Sequence, residues 1–251
     1  MLVGTLAAGC AKKPAAPAPA PPPPLPTEWP QGKTAPLKIT EELSLEIPLQ
    51  YVRAAISGDH APAKALLSAP SDRSEAAFDF FLPDFSGYTL KNYRNVSDAN
   101  KVEVVYLHAG DPHEGEPGAA GAYPPNLLKR ALGDSLDPQG YKDQYGLRCY
   151  QGKVQHERLT CYGKRDAEED IILTALVPPY PADLAFPQMQ ARYFSKRYGG
   201  VRLYWRTHVQ NLPRWHDIDA QVWKFIAEWK VETAAAPEPV PGPVKPGAKG
   251  S

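Results

Sequence analysis

QMQARYFSKRYGGVRLYWRTHV, residues 188 to 209, decides how the rest of the chain is read. Two runs rich in aromatic and β-branched residues flank Tyr198-Gly199-Gly200, a pattern that predicts two antiparallel strands joined by a tight turn. In the second run Val201, Leu203, Trp205, Thr207 and Val209 share one face, while Arg202, Tyr204, Arg206 and His208 share the other. One face is therefore expected to be apolar and buried, and the other basic with aromatic insertions. Lys196 and Arg197 fall at the turn.

Just downstream the hydrophobic period changes. In PRWHDIDAQVWKFIAEWKV (213–231), Trp215, Ile218, Val222, Phe225, Ile226 and Trp229 recur at spacings of three and four. That spacing predicts an amphipathic helix whose apolar stripe closes a core. Asn211 and Pro213 mark its start, and Asp217 and Asp219 suit the positive end of the helix dipole.

Other segments repeat the hairpin theme. KVEVVYLH (101–108) and DIILTALV (170–177) read as strands, and AFDFFLPDFSGYTL (77–90) as a strand broken at Pro83 and re-entering after Gly87. LKITEELSLEI (37–47) alternates like a single strand. Residues 48–56 either continue it or begin a short helix, and Asp59 suits the N-cap of another short helix reaching Leu67. NLLKRALG (126–133) is a short helix entered through two prolines and closed by Gly133. In YGLRCYQGKVQHERLTCYG (145–163), alternating apolar positions flank a turn near Lys153 to Glu157, so Cys149 and Cys161 fall on facing strands. A disulfide there is geometrically reasonable, and closing a loop of that size contributes about 3 kcal/mol in the chain-entropy picture. A metal pair or a nucleophile are the alternatives; CxxC spacing is absent, and only His156 in the turn is near. Five to seven strands in hairpin order with few helices imply an α+β fold, mainly antiparallel β-sheet built from hairpins and packed by the C-terminal amphipathic helix and a few short helices.

The 251-residue chain is 43% hydrophobic, enough for one sizeable core. Its 29 prolines crowd into residues 14–36 and 237–246. Such segments bury too little apolar surface to offset ordering entropy, so they are expected to be extended. The organisation that follows is a leader over 1–10, a Pro/Ala-rich linker over 11–36, one globular domain over 37–231 and a Pro/Ala/Gly-rich tail over 232–251. A formal net charge of +0 offers no global attraction to nucleic acid or anionic membrane.

Leu6, Ala7, Ala8, Gly9 and Cys10 resemble the end of a bacterial lipoprotein signal. The resemblance implies diacylglycerol on the Cys10 thiol, cleavage before it and acylation of the freed amine. It also implies that an upstream part of the signal precedes Met1. Ala11 after the cysteine implies the periplasmic face of the outer membrane. Residues 11–36, as polyproline II at ~3.1 Å per residue, would hold a domain up to roughly 80 Å from the bilayer. An even cysteine count after Cys10 agrees with an oxidising compartment.

Two surfaces are candidates for binding a protein partner. One is the hairpin face with Arg192, Lys196, Arg197, Arg202, Tyr204, Arg206 and His208, since Tyr and Arg often anchor interfaces. The other is AGDPHEGEPGAAGAYPP (109–125), read as a solvated acidic loop carrying His108, Asp111, His113, Glu114 and Glu116. Asp166, Glu168, Glu169 and Asp170 are expected to form an acidic patch away from the basic face. Ser195 with His208, His216 and Asp217 would suit a hydrolase, but no GxSxG or HExxH motif accompanies them. No catalytic residue, metal or cofactor is therefore expected. With VRLYWRTHVQNLPRWHDIDAQVWKFI (201–226), this layout is similar to immunity lipoproteins that neutralise type VI secretion effectors such as phospholipases. That similarity implies a non-enzymatic periplasmic protein that occludes an effector's cleft. A structural lipoprotein of an envelope assembly is the alternative, and a cell-envelope hydrolase the third.

Overall fold

The computed structural model describes residues 32–53, 75–93, 98–178 and 186–231. The architecture is mixed α+β, with two antiparallel sheets built of strand hairpins, a long C-terminal helix and short helices. Strands β1 (Thr34–Lys38), β2 (Ser44–Pro48) and β11 (Lys230–Val231) form a small sheet in the order β1-β2-β11. The larger sheet contains β3 (Glu75–Phe81), β4 (Lys101–Ala109), β5 (Leu136–Gln144), β6 (Leu147–Gly152), β7 (Arg158–Lys164), β8 (Asp170–Leu176), β9 (Gln188–Ser195) and β10 (Val201–His208). Its order is β3-β4-β10-β9-β8-β7-β6-β5. Helix α1 spans Pro124–Asp134 and α2 spans Trp215–Trp229.

The β9–β10 hairpin forms as its sequence predicts. Val201 pairs with Ser195, Leu203 with Tyr193, Trp205 with Ala191 and Thr207 with Met189. All eight side chains are buried on one face of the sheet, called inner here. The turn places Tyr198, Gly199 and Gly200 at φ 54, 77 and 98°, left-handed geometry in which glycine carries no Cβ penalty. Along α2 the six stripe residues are all buried, and each contributes about 1.5–3 kcal/mol by leaving water. The helix crosses the inner face. Trp215 Nε1 donates to Tyr145 O (2.7 Å) at the β5–β6 turn, and Trp229 meets Phe78 on β3 at a ring distance of 4.9 Å. Leu37, Leu45 and Ile47 of the small sheet join the same core.

Cys149 and Cys161 are direct cross-strand partners and form a disulfide, with Cα atoms 3.9 Å apart. Both sulfurs lie on the buried inner side.

Several expectations are corrected. The alternation over 37–47 belongs to two strands, because Ile39 N donates to Leu43 O (2.9 Å) and turns the chain between β1 and β2. The expected α+β fold of antiparallel hairpins packed by the C-terminal helix forms, its strands divided between two sheets, the small one completed by the residues after α2. Strand β5 was not expected. It lies at the sheet edge, where Pro138 needs no ladder donor. After β2 the chain makes a short 3₁₀ turn over Leu49–Tyr51; the helix expected from Asp59 to Leu67 lies outside the described residues. Strand β3 ends before Pro83, as expected, but among the described residues of that stretch no strand resumes after Gly87, where Tyr88 N donates to Gln50 O (2.7 Å) instead of to a ladder; α1 runs one residue past Gly133.

Candidate functional site

Alternation along β4, β10 and β9 that buries one set of side chains presents another on the outer face. Tyr204 pairs with Tyr106 on β4 and with Arg192 on β9. The Tyr204 ring lies 5.4 Å from that of Tyr106, which lies 4.9 Å from His108. The Arg192 guanidinium is 5.8 Å from the centre of the Tyr106 ring. Tyr204 Oη donates to Gln190 Oε1 (2.8 Å), and Gln190 Nε2 donates to Thr174 Oγ1 (3.0 Å) on β8. A strip of aromatic and amide groups thus crosses four strands, each partly open to solvent, with Arg192 exposed. Amphipathic rings held by neighbours lose little side-chain entropy when a partner covers them.

At one end of this strip lies a charged cavity of about 250 Å³, lined by Arg53, Lys101, Glu103, Phe186, Gln188, Arg206 and Thr207. Arg206 Nε donates to Glu103 Oε2 (2.5 Å), Lys101 Nζ contacts Glu103 Oε1, and an Arg53 guanidinium nitrogen stands 4.0 Å from the same oxygen. Lys101 Nζ is also 3.8 Å from Asp79 Oδ2, which accepts the Tyr88 hydroxyl hydrogen. Burial raises the Glu103 pKa, but Lys101 and Arg206 outweigh it and hold the carboxyl below its ordinary value. For Asp79 burial dominates, and its pKa is raised despite Tyr88 and Lys101.

The remaining expected residues have two other fates. Asp111 caps a 3₁₀ turn over Pro112–Gly115 by accepting from His113 N (2.9 Å), and His113 Nδ1 lies 2.7 Å from Glu116 Oε1. That contact raises the His113 pKa. Glu114 is buried: it accepts from Ala122 N (2.7 Å) and forms an ion pair with Arg202. The loop is therefore anchored to the sheet through Glu114 while Asp111, His113 and Glu116 stay exposed, and Asn126 of α1 bonds Glu116 O (2.8 Å) and Gly118 N (3.0 Å). At the hairpin tip, Arg197 pairs with Asp166 (2.6 Å), and Glu169 accepts from Ser195 Oγ (2.7 Å) and Lys196 N (3.1 Å). The Lys196 ammonium sits 5.5 Å from the Tyr123 ring centre. The acidic run, expected away from the basic face, thus meets it at the hairpin tip, where Arg197 pairs with Asp166 and Glu169. His208 packs against Phe186 at a ring distance of 4.9 Å and accepts from Gln210 N (3.1 Å); burial lowers its pKa.

The hydrolase grouping is not brought together. Ser195 is buried at the turn end of the hairpin, while His208 pairs with Gln188 at the far end and faces the opposite side. That separation is roughly 23 Å at ~3.3 Å per residue. His216 and Asp217 project from α2 into solvent. Among the described residues no group of three or more His, Cys, Asp and Glu is placed to hold a metal ion. No helix among them is long and apolar enough to cross a membrane. Cys10 lies outside the described residues.

Sequence reading missed Tyr106, Gln190, Lys101, Glu103 and Asp79. Alternation in KVEVVYLH already puts Lys101 and Glu103 on one face. The pairing of β4 with β10, set by residues a hundred positions apart, is not a local signal.

No protein-family model and no curated protein sequence matches the chain. Among solved structures, an immunity protein of the Stenotrophomonas maltophilia type IV secretion system, Smlt3025, is similar at 12% identity and a TM-score of 0.49. The match covers 79% of this chain and 95% of that one.

Proposed function

We propose that this chain is a lipid-anchored periplasmic protein that binds another protein through the outer face of its large sheet. Within that class it acts as an immunity protein, covering the catalytic cleft of a secreted effector. The observation that carries the binding role is the strip of Tyr106, Tyr204, Gln190 and Arg192, held in place yet open to solvent. Tyrosine and arginine on such a face are the residue types from which binding hot spots are made. The Cys149–Cys161 disulfide supports an oxidising compartment, and the Leu6–Cys10 resemblance supports anchoring there. Arg202, Arg197 and Glu114 act within the domain, locking the 109–125 loop and the hairpin tip beside the strip.

The test is growth of cells that export the candidate effector encoded next to this gene. The parent chain protects, Tyr204→Ala and Arg192→Ala lose protection while accumulating as folded protein, and Cys10→Ala loses it through mislocalisation. Undiminished protection by both sheet variants rules out this face. A parent chain that does not protect but co-purifies with envelope-assembly subunits moves the protein to the structural class.

A further inference from the structure

The charged cavity at the end of the strip has a property that its neighbours do not satisfy. Lys101 has a side chain only 4% exposed, and its Nζ makes no hydrogen bond of good geometry among the described residues despite its contacts with Glu103 and Asp79. An ammonium carries three donors, and its contacts with Glu103 and Asp79 do not take up all of them. Arg206 uses its Nε on Glu103, and Arg53, half-exposed at the rim, reaches Glu103 only at 4.0 Å. Arg206 also bonds Tyr204, and with five N–H donors on each guanidinium both arginines of the cavity wall retain donors. Among the described residues three cations stand against two carboxylates, Glu103 and Asp79. Phe186 and the Gln188 amide form the rest of the wall. A space of about 250 Å³ is below the size of ordinary cofactor pockets yet ample for a side chain.

We infer that this cavity receives a carboxylate, delivered as an Asp or Glu side chain of the protein partner, which Arg206 and Arg53 grip while Lys101 neutralises it from below. The identity of the donor rests on the binding role proposed above; the cavity's preference for carboxylate does not. A planar two-oxygen anion matches the guanidinium fork, so Arg206 and Arg53 hold it better than they hold a neutral amide of the same shape. Phe186 of the cavity wall packs against His208, and Arg206 lies two residues along β10 from Tyr204 on the same face, so the cavity adjoins the strip. A second hollow of about 570 Å³ shares the Arg53, Glu103 and Arg206 wall on the β3 side, giving the arginines room to reorient.

The experiment titrates the full chain, with no partner present, using N-acetylglutamate amide, its glutamine counterpart and inorganic phosphate as probes. Arginine side-chain NMR signals report binding. The glutamate probe is expected to shift the Arg206 and Arg53 Nε signals saturably, and the glutamine probe to leave them in place. Arg53→Gln, at an exposed position that leaves the core intact, weakens the response about tenfold, the loss expected for one charge-assisted bond. Lys101→Met weakens it further if the variant folds. Equal shifts with the glutamine probe, no saturation, or tighter binding of phosphate each overturn the assignment. Because these measurements need no partner, they fail or succeed independently of the immunity reading, which is decided by growth protection.

Discussion

The two faces of the β9–β10 hairpin use the same residue types to opposite ends. On the inner face Tyr193 Oη donates to Asp219 Oδ1 (2.6 Å), Trp205 Nε1 donates to the same oxygen (2.8 Å), and Trp223 Nε1 donates to Tyr193 Oη (2.8 Å). The Arg165 guanidinium lies 3.7 Å from Asp219 Oδ2 and 4.6 Å from the Trp223 ring centre. Everything there is buried, and burial raises the Asp219 pKa against the pull of Arg165. One residue away on each strand, on the outer face, Tyr204 meets Tyr106 and Gln190, Arg192 lies over the Tyr106 ring, and both stay open to water. A Tyr–Trp–Arg–carboxylate network enclosed in a core fixes how α2 docks on the sheet. The same chemistry left on an open face is available to another molecule. Location relative to the helix, not residue type, separates structure from binding.

That contrast is broken most forcefully at Asp219. Asp219→Ala strands Tyr193, Trp205 and Arg165 without their acceptor, and is expected to lower unfolding free energy by about 3–5 kcal/mol in urea titrations. A loss of the size seen at surface positions would show that the network does not hold α2. Next in size is the disulfide: a Cys149→Ala/Cys161→Ala chain loses about 3 kcal/mol in the same titrations. An unchanged midpoint after mild reduction would remove this contribution. On the outer face, Tyr204→Ala changes stability by only about 0.5 kcal/mol, as surface changes do. It should weaken the partner complex by about 2 kcal/mol or more, measured by calorimetry. The reverse pattern would make Tyr204 a structural residue.

The smallest effect sharpens the boundary between the faces. The native state holds the Asp79 proton more tightly than the unfolded chain does, so its contribution to stability falls as pH rises above about 4, the ordinary carboxylate value. Asp79→Asn removes that fall. Relative to the parent, the variant should gain stability as pH rises from about 4 to about 7. A pH-independent difference in urea midpoints would contradict the burial-driven shift.

What was legible in the sequence is what depends on neighbours along the chain. The hairpin turn and its two faces, the α2 stripe and the facing cysteines all follow from local periodicity. Asp219 was misassigned to the helix dipole, although it lies four residues from Trp215 and four from Trp223, inside the apolar stripe. An acid at such a position signals a buried partner. The outer face was half legible: Tyr204 and Arg206 were found, but not which β4 residues would lie beside them. Glu114 looked like part of a hydrophilic loop because its burial depends on Arg202, 88 residues away.

The claim on which the functional reading stands is that the outer sheet face meets a partner protein. A photo-crosslinking amino acid placed at Tyr204, with Lys224 on the exposed side of α2 as the comparison, tests it in cells that co-express the effector. A discrete adduct with the effector from position 204 and none from 224 is the result expected. Adducts from 224 alone, or none from 204 while the two proteins still co-purify, would contradict it.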